Sequence, residues 1–225
     1  MRKIILLLAI QLTFSVIVHA NTAESNRGMV VTVHPIATDA ATKIMADGGN
    51  AIDAAVAAAF MLGVVDGHNS GVGGGCFMLI RTADGRTIAL DGREMAPAAA
   101  TRDMFIRDGK ADTSLSQTGP LASGIPGSVA VYEHATKTFG KRPLRELSAP
   151  AADVAEKGFP IDRRYAAKLA GTAREIARFP ESARVLLRPD GAPPYFAVST
   201  SIVATALAVM PSPKPTWPAL ITAAS

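Results

Sequence analysis

Two residues could do chemistry in this chain, Arg93 and Cys76, and both stand beside a cluster of glycines. Arg93 follows Asp91-Gly92 and precedes Glu94. A guanidinium leaving the end of a strand presents a planar fork that can grip a carboxylate through two parallel hydrogen bonds, which suits recognition of a small acidic molecule. The same side chain could instead be tied up in a structural pair with Asp91 or Glu94. Cys76 is the only cysteine, so it can form no intrachain disulfide, and its neighbours Gly75 and Phe77 suggest a buried, unreactive thiol unless a base stands nearby.

Other chemistries find little support. His34, His68 and His134 are far apart and have no ligand-type partner at helical spacing, so no metal site is expected, and no cofactor either. His34 and His68 fall at element ends and read as hydrogen-bonded structural residues. The glycine cluster does not fit a dinucleotide or P-loop motif: a helix precedes it and a strand follows, whereas phosphate binding needs the reverse, and no Gly-Lys-Ser or Gly-Lys-Thr occurs. A Gly-x-Ser-x-Gly elbow is also absent.

The elements that would position these residues centre on Gly71, Gly73, Gly74 and Gly75. Four glycines in five positions lower the cost of unusual backbone angles and let another chain segment approach closely. The turn is entered by an apolar helix. Asn50 caps that helix, with Asp53 as the reciprocal acid of a variant capping box, and residues 54–65 contain no charged or polar side chain, so the helix belongs in a core and should carry the glycine turn inward. Before it, residues 28–34 read as a buried strand ended by Pro35, followed by a helix in which Asp39 precedes Lys43 by one turn and Gly48-Gly49 makes the stop.

After the turn, residues 76–81 and 87–91 form a hairpin about Asp84-Gly85, and residues 92–97 leave it as a loop. Helical patterns then run over about residues 128–139, 144–157 and 162–177, with Pro150 predicting a kink or break in the second. This order points to an α/β or α+β layered fold.

Residues 1–20, with Arg2 and Lys3 before an apolar run and Val18-His19-Ala20 at its end, read as a cleaved secretory signal, giving a secreted or periplasmic protein with no membrane span after cleavage. Removing Arg2 and Lys3 would take the formal charge from +4 to +2, and no basic run is interleaved with aromatics, so nucleic acid is not an expected partner. Residues 195–225 differ from the rest: Lys214 is their only charged residue, and Pro211, Pro213, Pro215 and Pro218 oppose regular structure.

Four blocks in series resemble the gamma-glutamyltranspeptidase family, the glutathione hydrolases: residues 46–57 around Gly48-Gly49-Asn50 and Asp53, Asn69-Ser70-Gly71-Val72-Gly73-Gly74-Gly75, Asp91-Gly92-Arg93-Glu94-Met95-Ala96-Pro97-Ala98, and Ser123-Gly124-Ile125-Pro126-Gly127. The resemblance covers residues 27–194. It implies part of a four-layer αββα sandwich of the N-terminal-nucleophile hydrolase type, made as a precursor that cuts itself into a large and a small subunit. It also implies hydrolysis of glutathione or transfer of its γ-glutamyl group by an N-terminal threonine, with Arg93 gripping the α-carboxylate of the donor. That threonine has no counterpart here, so the resemblance marks residues 21–194 as the N-terminal part of a large subunit, incomplete and inactive alone, and residues 195–225 as an atypical tail explained by a frameshift. Asp66-Gly67 stands where relatives commonly carry Glu-Pro. The alternatives are a non-catalytic carboxylate-binding or interaction module and a pseudogene product without function.

Overall fold

The computed structural model describes residues 22–192 and 194; the expected signal at residues 1–20 and the tail at 195–225 lie outside the described residues. Among the described residues, seven α-helices, one short 3-10 turn and two antiparallel two-stranded sheets follow one another.

Helix α1, Pro35–Ala46, starts on His34, whose Nδ1 accepts the Ile36 amide at 3.3 Å, with Pro35 in the first turn where a missing N–H costs nothing. It ends at Asp47, and Gly48 supplies the positive φ of +94° that the exit requires. Lys43 turns forward to Asp47 at 2.9 Å rather than back to Asp39, because the carboxylate at the helix end lies within the same one-turn reach.

Helix α2, Ala51–Val65, carries the expected capping box: Asn50 Oδ1 accepts the amides of Ile52 and Asp53, and Asp53 Oδ2 accepts the Asn50 amide at 2.8 Å. Its apolar side chains fill the centre of the molecule, where Val56, Phe60, Met61 and Val64 are buried. Helices α3, Thr113–Gln117, α4, Ser128–Phe139, α5, Leu144–Lys157, α6, Arg163–Ile176, and α7, Pro180–Leu186, complete the helical set. Helix α5 runs unbroken through Pro150. Burial of Leu147, Ala151 and Ala155 against the core offsets the one backbone hydrogen bond that proline removes.

Asp53 also explains how the helices are joined. Its carboxylate is completely buried and accepts, besides the Asn50 amide, those of Lys141 at 3.0 Å and Arg142 at 3.2 Å in the loop between α4 and α5. Asn50 Nδ2 donates in turn to the carbonyl of Phe139 at 2.6 Å. A carboxylate receiving several amide hydrogens can be buried without a cation.

Strands β1, Cys76–Arg81, and β2, Thr87–Gly92, pair antiparallel with Cys76 opposite Gly92 and Arg81 opposite Thr87. Gly85 takes the left-handed φ of +89° in the connecting turn, as Asp-Gly predicted. One face of the hairpin, with Ile80 and Leu90, joins the core. On the other, Phe77 is 69% and Leu79 is 74% exposed. Strands β3, Ile106–Arg107, and β4, Lys110–Ala111, form a small hairpin in the long connection to α4.

Besides the break expected at Pro150, two further expectations are corrected. Residues 28–34 form no strand, and Val31 is 83% exposed. A buried strand needs a paired neighbour and a layer over its side chains; among the described residues this segment pairs with no strand, and of its apolar side chains only Val30 packs, against Ala41, Ala54 and Ala58. The glycine turn is not interior: Gly71, Gly73 and Gly75 are exposed, and only Val72 between them packs back against the core, beside Gly63 of α2. No helix among the described residues is long and apolar enough to cross a membrane.

Candidate functional site

The glycine turn, the Arg93 block and residues 123–127 converge at one end of the hairpin. Glu94 Oε1 accepts the Gly75 amide at 2.6 Å. The carbonyl of Gly74 accepts the amides of Gly127 and Ser128, both at 3.2 Å, at the start of α4. Met95 and Ile125 exchange a pair of backbone hydrogen bonds of 3.1 and 2.8 Å as an isolated antiparallel bridge.

These contacts account for two of the glycines. At Gly75 a Cβ would stand 2.6 Å from Glu94 Oε2, and at Gly92 it would stand 2.5 Å from Val131 Cγ2. Neither separation is possible without a shift, so these positions leave no room for a side chain beside Glu94 and Val131.

Arg93 projects from this assembly and is exposed. Its backbone amide donates to Asp91 Oδ1 at 2.9 Å, and Glu94 is engaged with Gly75, so neither acid takes up the guanidinium. Among the described residues the Arg93 side chain has no hydrogen bond or ion pair. The structural pairing open to it in sequence is therefore not the one that forms.

Below the junction, Cys76 lies half-buried near Ser128 and Tyr132. Burial pushes its thiol above the ordinary range, the two hydroxyls counter this in part, and the nearby Asp91 and Glu94 carboxylates add to the rise. The expectation of an inert thiol fits these surroundings. Tyr132 is likewise raised by burial, and its ring meets Phe60 edge-on at 5.3 Å. Ser128 Oγ is buried and has no partner aligned for a hydrogen bond.

The other singled-out histidine of this region, His68, stacks on Tyr165 of α6 at 4.9 Å, with Nδ1 3.4 Å from Asp66 Oδ1. Among the described residues no group of three or more histidine, cysteine or acidic side chains is arranged to hold a metal. A groove of about 360 Å³ between α1 and α5, floored by Ile36, Met61 and Val154, involves none of the residues above. Sequence reasoning did not single out Glu94 as the group that fastens the glycine turn; a carboxylate next to a candidate binding arginine is the one signal that could have drawn attention to it.

The family model for gamma-glutamyltranspeptidase matches residues 37–208, beginning inside α1 and continuing past Pro194. The glutathione hydrolase proenzyme of Escherichia coli strain K12 is 41% identical over 171 residues, which cover 76% of this chain and 30% of that protein. The crystal structure of Helicobacter pylori gamma-glutamyltranspeptidase superposes with a TM-score of 0.80 at 34% identity, covering 83% of this chain and 54% of that one. The solved structure of the gamma-glutamyltranspeptidase from Pseudomonas nitroreducens, complexed with L-DON, gives 0.72 at 32% identity, covering 82% of this chain and 54% of that one. The chain thus spans about a third of the curated relative and about half of each solved chain.

Proposed function

The chain belongs to the gamma-glutamyltranspeptidase family, and from that premise we propose that it supplies the carboxylate-gripping side of a pocket for γ-glutamyl donors such as glutathione. The observation that carries this reading is the unpaired Arg93 guanidinium on a backbone frame fastened by Glu94, Gly74 and Gly127. A planar fork with no partner among the described residues, next to the end of β2, is suited to two parallel hydrogen bonds with the donor's α-carboxylate.

Hydrolysis or transfer further requires a nucleophile that attacks the γ-amide carbonyl, an acyl-enzyme, and its breakdown by water or an amine. In this reading the nucleophile is an N-terminal threonine from sequence beyond the region described here. A small subunit produced by precursor cleavage would supply it, as the resemblance implies. This chain's own part is to bind and orient. The exposed face carrying Phe77 and Leu79 supports the idea that further layers of a sandwich cover the hairpin, since a solvent-facing apolar sheet side and open strand edges favour association. Export through the segment at residues 1–20 would place the reaction in the periplasm or outside the cell.

Isothermal titration of the purified chain with glutamate, paired with an assay on a γ-glutamyl anilide, tests the reading. Binding of glutamate that disappears in Arg93→Ala and is only partly kept in Arg93→Lys is the expected result. Binding that is unchanged in Arg93→Ala would remove the basis for assigning the carboxylate grip to this residue. Anilide turnover by the chain alone would show that it needs no nucleophile from elsewhere.

A further inference from the structure

We propose that the outer face of α6, carrying Arg163, Arg164, Lys168 and Arg174, docks on an anionic lipid surface. At about 3.6 residues per turn these four fall within an arc of about 140°. The arc lies opposite Tyr165 and Leu169, which are buried, and Ile176, which packs against the core. All four cations are exposed, and among the described residues none of their side chains has a hydrogen bond or ion pair. Glu175 is the one acid on the same arc, and Arg178 adds a further cation in the turn that follows the helix.

This placement is unfavourable for the chain by itself. Cations on or beside the other long helices find an acid one turn away: Lys43 with Asp47 at 2.9 Å, Arg142 with Glu146 at 3.2 Å and Lys157 with Asp153 at 3.2 Å. On α6 the residue one turn before Lys168 is Arg164, a like-charge spacing that disfavours the helix. Arg163 and Arg164 also occupy the first turn, which holds no acid, and there the partly positive helix end repels a cation. Asp162 answers them only as the cap, its Oδ1 accepting the Tyr165 amide at 2.7 Å. A negative surface laid against this face relieves both repulsions.

The chemistry of the face selects lipid over protein or nucleic acid. The stripe from Arg163 to Arg174 is about 17 Å long and has only Ala167 and Gly171 between its cations, so it offers charge without an apolar anchor. Protein interfaces centre on buried aromatic or aliphatic anchors and are depleted of charge there, whereas the large apolar side chains of α6 are already used in the core. Single-stranded nucleic acid needs aromatic faces for its bases, and Tyr165 is buried. A fluid layer of phosphate headgroups requires neither pocket nor anchor: the lipids move to the cations, and a guanidinium fork matches phosphate oxygens. The formal charge of the whole chain is only +4, so the attraction is local to this face.

Co-sedimentation of the full chain with vesicles of phosphatidylcholine alone, and of equal parts phosphatidylcholine and phosphatidylglycerol, tests the proposal. The apolar run near the start of the sequence favours both vesicles, so the readout is the ratio of the two partition constants. That ratio should be well above one in low salt and approach one in high salt, where screening cuts the reach of each charge to a few ångströms. Arg164→Gln, Lys168→Gln and Arg174→Gln should each lower it about five-fold, and the triple variant should bring it close to one. The double variant of Arg164→Gln and Lys168→Gln should melt at the temperature of the unmodified chain or higher, because it loses no internal partner and a like-charge pair disappears. A ratio near one for the unmodified chain in low salt, a ratio kept by the triple variant, or a clearly lower melting temperature for the double variant would overturn the proposal. So would tighter binding to poly-L-glutamate or to duplex DNA than to the anionic vesicles.

Discussion

Glu94 holds Gly75 by its backbone: Oε1 accepts the glycine amide at 2.6 Å while the rest of the carboxylate fills the space a side chain at Gly75 would need. The residue next to Arg93 is thereby a fastener, and the direction in which the guanidinium leaves β2 depends on it.

Gly75→Ala should therefore expel Glu94 and loosen the whole junction. We expect a loss of about 1–3 kcal/mol, the usual cost of forcing a group into filled space, read from urea denaturation midpoints. Glu94→Gln keeps the shape and an acceptor oxygen, so its loss should stay under about 1 kcal/mol. Equal losses for the two would show that the close approach at Gly75 is unimportant.

Replacement of Asp53 should be the most damaging single change. Asp53→Ala empties a fully buried site and leaves the partly buried amides of Asn50, Lys141 and Arg142 without their acceptor. A cost of about 3–5 kcal/mol is expected. Asp53→Asn should be intermediate, since its NH2 group must face amide donors. The same denaturation series would detect a neutral outcome, which would contradict the joining role given to this carboxylate.

The hairpin turn should respond to acid only at low pH. Hydrogen bonds from Thr82 and from the Arg86 side chain and amide hold the exposed Asp84 carboxyl down to about 2, against an ordinary value of 3.8. Because the folded value is the lower one, the turn is favoured above about pH 4 and loses that contribution as pH falls through about 2. Carboxyl carbon shifts of Asp84 and amide shifts of Arg86 should move together in that window. A midpoint near the ordinary value would mean that the turn does not hold the carboxyl.

Cys76 should resist modification. With its thiol raised by burial, alkylation by iodoacetamide at pH 7.5 should be slow and should accelerate several-fold in urea. Rapid labelling of the folded chain would refute this description of its surroundings.

Ser128→Ala next to it should change stability by no more than about 1 kcal/mol in either direction, because the buried hydroxyl lies beside Cys76 and Tyr132 without an aligned hydrogen bond, so its weak contacts and its desolvation roughly offset. A clear destabilisation by thermal melting would show that the hydroxyl is satisfied in solution.

What the sequence determined was local. The Asn50–Asp53 capping box, the apolar α2 and the Asp84-Gly85 turn all involve neighbours within a few residues, where side-chain type and spacing fix the outcome. The candidacy of Arg93 also came from the sequence, through its place in the third of four short blocks. What only tertiary structure decided was the choice among partners. Asp53 serves amides 88 and 89 residues away, Glu94 turns to Gly75 rather than to Arg93, and, among the described residues, 28–34 pair with no strand despite their β-branched pattern. The reason is that a buried acceptor, a guanidinium or a strand is satisfied by whatever group the folded chain brings within about 3 Å, and pattern along the chain carries no measure of that distance.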